Sequence, residues 1–129
     1  MSVAVIGWPS FSVTQTVERI SGDPATWGAG QPGQKRVMGE FSKTLKHAPG
    51  IVSMARVTNE PNSATSQFFI CVAPNPQWDG QYSIFAKVIE GMNVVETISR
   101  APTQKNGATP LDPVVLKSVR IVKRQEIGL

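Results

Sequence analysis

GIVSMARVTNEPNSATSQFFICVAPNPQWDGQYSIFAK, from Gly50 to Lys87, holds two apolar segments, Gly50–Ala55 and Gln67–Ala73, that have the composition of strands. A polar, turn-rich loop, Arg56–Ser66, separates them. After the second come a Pro/Asn loop, the turn signal Asp79-Gly80 and a third strand candidate, Tyr82–Ile89. Three strands this close in sequence most simply lie in one sheet, on which Gln67, Phe69 and Tyr82 share a surface.

Outward from this stretch the chain reads as its wrapping. Ser2–Trp8 is a short strand candidate cut off by Pro9, and Phe11–Ile20 has fair period-two alternation. Gly22–Gly39 is a glycine-rich loop whose Gly28, Gly30 and Gly33 spell GxGxxG, but no helix follows as a dinucleotide fingerprint requires. Its backbone is expected to come close to something else, a ligand included. Glu40–His47 is expected to make a brief helical turn before Pro49-Gly50. A helix is predicted over Asn93–Arg100, with Asn93 as cap, Glu96 completing a capping box, and Val94, Val95 and Ile98 as its apolar face. Pro102 stops it, and Val114–Val122 alternates like a closing strand. The sum is a β-rich barrel or sheet with one helix packed against it.

Composition narrows the function. A chain of 129 residues, 40% hydrophobic and 17% charged, supports one globular domain, 1–129, with 1–10 as a divergent leading segment. No apolar run is long enough to span a bilayer, and the opening MSVAVIGWPSFSV lacks a basic n-region, so a cytoplasmic location is expected. Net charge is +4, but the basic residues alternate with apolar ones, so no nucleic-acid surface is expected. The one cysteine, Cys71, sits in an apolar strand and is expected to be buried and inert; the one histidine, His47, has no partner histidine for a metal. Asp23, Asp79 and Asp112 stand beside Pro or Gly as turn aspartates do, and Ser10, Ser53 and Ser66 lack a G-x-S-x-G context.

What remains is an uncharged surface: Met54 and Phe69 as apolar floor, Gln67 as a two-way amide, Trp78 and Tyr82 as aromatic walls. It suits a peptide ligand whose proline ring enters the apolar part. Each residue also has a plainer reading: core fill for Phe69 and Met54, a loop anchor for Gln67, a surface-to-core aromatic for Trp78.

At these residues the chain resembles the cyclophilin family of peptidyl-prolyl cis-trans isomerases. The resemblance rests on GIVSMAR (Gly50–Arg56), NSATSQFFICVA (Asn62–Ala73), WDGQYSIFAKVIEGMNVVETI (Trp78–Ile98) and SGDP (Ser21–Pro24), and runs from about Phe11 to Lys123. It implies a mainly β fold, a cyclophilin-like antiparallel barrel, here incomplete at the N-terminus, where a hairpin, a first helix and the strand after it are missing. It implies X–Pro isomerisation with no covalent intermediate and no cofactor. By the resemblance Gln67 and Phe69 take the catalytic positions, Phe69 at the base of the proline pocket. Met54, Ala55 and Arg56 line the groove, with Arg56 where many members carry asparagine. Trp78 and Tyr82 form the walls, and Gly28 and Gly30 border the neighbouring pocket.

The family's catalytic arginine, eleven residues before the aspartate of G-D-P, falls on Ser12, and the groove pattern F-M-x-Q reads Val17, Glu18, Arg19, Ile20. Arg19 lies seven residues from Ser12, on the opposite face of a regular strand. The resemblance therefore implies an isomerase of weakened activity or a non-catalytic module that binds proline segments. Its implied partners are proline-containing peptides or proteins, cyclosporin-like cyclic peptides if the groove is intact, and a second copy covering the open edge.

Overall fold

A computed structural model describes residues 4–7, 33–105, 107, 110–112, 114, 116, 118 and 119. The strands expected at Gly50–Ala55, Gln67–Ala73 and Tyr82–Ile89 form with shorter cores: β2 is Ile51–Met54, β3 is Phe68–Ile70 and β4 is Ile84–Glu90. β1, Ala4–Gly7, comes from the Ser2–Trp8 segment. The expected strand Phe11–Ile20 lies outside the described residues, as do Gly28 and Gly30, and Val114–Val122 is only partly described.

Among the described residues the sheet order is β1-β4-β2-β3, with every pairing antiparallel. The pairings of β2 with β3 and β4 are extended by single backbone bonds. Gly50 N–H donates to the Cys71 carbonyl at 2.8 Å, Met54 N–H to Ser83 at 3.0 Å and Ala55 N–H to Gln67 at 2.9 Å. β2 is buried along its whole length because it is central and both faces are covered.

One face carries the core cluster Val52, Ala86 and Val88, with Ile70, Phe85 and Met92 packed on it. Val52 pairs with Ala86, but Ser53 pairs with Ile84, so β4 carries an extra residue at Phe85. That irregularity explains how adjacent Phe85 and Ala86 both reach the same cluster. Cys71 is buried as expected; burial pushes its thiol pKa up and keeps it protonated.

Two local expectations are corrected. Helix α1 runs Met92–Ser99, and its cap is Gly91, not Asn93, which lies inside the helix; no side chain caps it. β4 leads almost directly into the helix, and the reversal needs the left-handed φ of 84° that glycine adopts without a Cβ clash. The helix buries Val95, while Ile98 of the expected apolar face stays 44% exposed. Glu40–His47 forms no helical turn. Instead the Ser42 hydroxyl accepts the N–H groups of Thr44 and Leu45 at 3.2 and 3.0 Å, a side-chain alternative to helical bonding.

Candidate functional site

Three loops meet over the end of the sheet: 39–49, Arg56–Ser66 and the segment leading through the short 3-10 helix Pro76–Trp78 to Tyr82. They are stitched by named bonds. Glu40 N–H donates to the Ser83 hydroxyl at 2.8 Å, Gly39 N–H to Asn62 Oδ1 at 2.9 Å, and Asn75 N–H to the His47 carbonyl at 2.8 Å. Ser63 is buried and closes the second loop, donating to the Glu60 carbonyl at 2.7 Å while accepting from Val57 N–H at 2.8 Å.

At the centre is His47, whose side chain is 0% exposed. Asp79 Oδ1 receives the His47 backbone N–H at 2.8 Å and lies 3.1 Å from its Nδ1; Nε2 lies 3.0 Å from Ser53 Oγ, itself fully buried. An ionised carboxylate can only accept, so Nδ1 carries the hydrogen. In the neutral ring Nε2 then accepts and the Ser53 hydroxyl donates. The backbone N–H of His47 is the main cause holding the Asp79 carboxyl below its ordinary range; the imidazole and Lys46, whose Nζ is 3.4 Å from Oδ2, add to it against partial burial. With Ser53 sealed under the ring, this Asp–His–Ser line offers no exposed nucleophile, and it serves as a brace.

Three rings stand on that brace and, with the imidazole, make a cluster of four. The imidazole stacks against Phe69 with centroids 6.2 Å apart and planes 19° from parallel. Trp78 and Tyr82 meet Phe69 edge-on at 5.0 and 5.5 Å and each other at 6.0 Å. Both also contact the imidazole edge-on, at 6.2 and 6.3 Å. These are favoured aromatic geometries, and they leave Phe69, Trp78 and Tyr82 half-buried with apolar surface at the rim. The Arg56 guanidinium lies 4.7 Å from the Tyr82 ring centroid and donates from Nε to the Gln81 carbonyl at 2.9 Å.

The structure thus brings together Phe69, Trp78, Tyr82 and Arg56. Gln67 is exposed, two residues before Phe69, and its carbonyl joins it to Ala55. Met54 differs from expectation: the register sets it opposite Phe68, while Ser53 is opposite Phe69. Directly paired residues share a face, so Met54 and Phe69 do not form one floor. His47 and Ser53 take that place. Sequence reasoning missed both, although a histidine three residues before a Gly50 that opens an apolar strand was the available signal. Ser12, Arg19, Gly28 and Gly30 lie outside the described residues. A separate cavity of about 400 Å³, lined by Phe41, Ser42, Lys43, Lys46, Asp79 and Gly80, touches the brace at Asp79 but none of the four rings.

Comparison with known proteins bears on this arrangement. The family model "Cyclophilin type peptidyl-prolyl cis-trans isomerase/CLD" matches residues 11–122. Peptidyl-prolyl cis-trans isomerase-like 3 of Gallus gallus is 38% identical over 104 residues, which is 78% of this chain and 63% of that protein. Peptidyl-prolyl cis-trans isomerase A of Dickeya dadantii is 42% identical over 96 residues, 68% of this chain and 50% of that one. The chain therefore spans between half and two thirds of the length of these relatives. A crystal structure of a Cryptosporidium parvum cyclophilin type peptidyl-prolyl cis-trans isomerase in the presence of the dipeptide Ala-Pro superposes with a TM-score of 0.63 at 34% identity, covering 69% of this chain and 56% of that one. With a family match across most of its length and the four-ring cluster built from the matching segments, this chain belongs to the cyclophilin-type peptidyl-prolyl cis-trans isomerases.

Proposed function

We propose that this chain binds proline-containing segments over the Phe69 ring cluster and accelerates X–Pro isomerisation at a reduced rate. The observation that carries the reading is the half-buried Phe69 ring held edge-on between Trp78 and Tyr82 and braced from behind by His47. An apolar, rigid, ring-lined surface suits a pyrrolidine ring, and the barrier to overcome is the roughly 18–20 kcal/mol of amide resonance. Resonance fades as the bond twists. A groove that grips the proline and the flanking backbone more tightly in the twisted form lowers that barrier without covalent chemistry. Gln67, exposed beside Phe69, supplies an amide able to donate to and accept from a peptide backbone. The sheet would form part of the family's barrel.

Reduced rate follows from Ser12 at the position of the family's arginine. Loss of one preorganised donor costs on the order of 100–1,000-fold. The same substitution favours a second reading, a module that binds proline segments without turning them over. Exchange NMR on an Ala-Ala-Pro-Ala tetrapeptide separates the two. Cis–trans exchange faster than in the peptide on its own, and competition by a cyclosporin-like cyclic peptide, support isomerisation in this groove. Binding lost on Phe69→Ala, with no faster exchange, supports the module. No shift change on titration sinks both. Self-association would use β3, one of the two outer strands of the described sheet, where Phe68 is 45% exposed; concentration-dependent sedimentation reads it.

A further inference from the structure

Arg56 is a cation fixed at the rim of the ring cluster, and among the described residues no carboxylate is paired with it. Its Nε donates to the Gln81 carbonyl at 2.9 Å and its Nη1 to the Val57 carbonyl at 3.2 Å, and its guanidinium lies 4.7 Å from the Tyr82 centroid. A guanidinium has five N–H donors, so most of this one's donors remain unused among the described residues. Three carboxylates of the described chain are engaged elsewhere: Asp79 with the His47 ring and Lys46, Glu60 with Arg36 at 2.9 Å, and Glu96 with Arg100 at 3.7 Å. Two carbonyls and a ring face hold the side chain in place, so little further ordering is needed for it to bind an anion.

From this arrangement we infer that Arg56 determines specificity in the groove, selecting proline segments that carry an acidic residue close to the proline. The inference rests on the proposed proline site at Phe69. Tyr82 links the charge to that ring: its own ring lies 5.5 Å from that of Phe69 and 4.7 Å from the Arg56 guanidinium. Successive Cα atoms are about 3.8 Å apart, so a residue within two or three positions of a bound proline comes level with the guanidinium. A carboxylate there meets a planar fork with donors to spare, whereas a lysine or arginine meets like charge. The neutral rings select proline, and Arg56 adds a sign to its neighbours.

The test is NMR titration of the whole chain with Ala-Ala-Pro-Ala tetrapeptides blocked at both ends, in which Glu, Gln or Lys replaces each alanine in turn. At low salt, Glu at one position is expected to bind about five-fold tighter than Gln there, with Lys weaker than either. The ratio should fall toward one at about 0.3 M salt as the charge is screened. In Arg56→Gln the Glu-to-Gln ratio should vanish, and in Arg56→Lys it should persist in part. A structural role for Arg56 would weaken all peptides together and leave the ratio intact. Equal binding of Glu and Gln peptides at every position, or a preference surviving in Arg56→Gln, overturns the inference while leaving the proline site standing. Failure of every peptide to bind, Ala-Ala-Pro-Ala included, overturns the site and the inference with it. Should Arg56→Gln not fold, the salt response of the unaltered chain and the Arg56→Lys ratio decide the matter.

Discussion

Phe68 and Phe69 are neighbours in one three-residue strand, yet they occupy different worlds. Phe69 faces three rings within 6.2 Å, one of them an imidazole locked by two hydrogen bonds. Among the described residues Phe68 meets one ring, Phe85, at 6.4 Å, and is 45% exposed. The alternation of a strand sends them to opposite faces. The difference is in what stands behind each ring. Phe69 is backed by a polar core in which, among the described residues, no buried side-chain nitrogen or oxygen lacks a partner. A fully satisfied polar network rigidifies what rests on it, whereas apolar packing with an open side does not.

The heaviest blow to this contrast is His47→Ala. It opens a cavity beneath Phe69 and leaves the buried Ser53 hydroxyl without its partner, for a cost of about 3–5 kcal/mol read by denaturant titration. A cost under about 1 kcal/mol would mean the brace is not what holds the rings. Next comes the pair Phe69→Ala and Phe68→Ala. The first is expected to lose about 2–3 kcal/mol of stability and to weaken proline-peptide binding more than roughly ten-fold; the second loses about 1 kcal/mol, with binding nearly kept. Similar binding losses in both would erase the distinction between the faces.

The mildest test is pH. Asp79 has its folded pKa lowered from 3.8, so its contribution is present above that value and is lost as pH falls through the lowered one. Stability should therefore fall as the solution is acidified below about pH 4, and Asp79→Asn should flatten that part of the profile. An unchanged profile in Asp79→Asn would show that other carboxylates carry the acid response.

How far these features could be read beforehand depended on range. The three strand cores and the Asp79-Gly80 turn announce themselves within a few residues, through β-branched and aromatic runs and a glycine at φ 70°. Buried Cys71 followed from its apolar neighbours. The His47–Asp79 contact spans 32 residues and leaves no local periodicity, so the histidine reads only as the end of a short helical turn with no partner histidine for a metal. Asp79 looked like a turn residue, which it is, but the same turn aims its carboxylate inward. The helix cap failed for another reason: Asn93 and Glu96 have the spacing of a capping box, but the chain needs a left-handed residue to leave β4, and Gly91 comes first. Met54 was assigned to Phe69's face because its register partner, Phe68, could not be known without the pairing.

The imidazole of His47 also has a use as a probe. Its side chain is shut off from solvent, and the rings of Phe69, Trp78 and Tyr82, all with centroids within 6.3 Å, place it in their ring-current fields. As the one histidine in the chain, it would give a single unambiguous downfield resonance, a spectroscopic beacon that shifts whenever a neighbouring ring tilts to admit a guest.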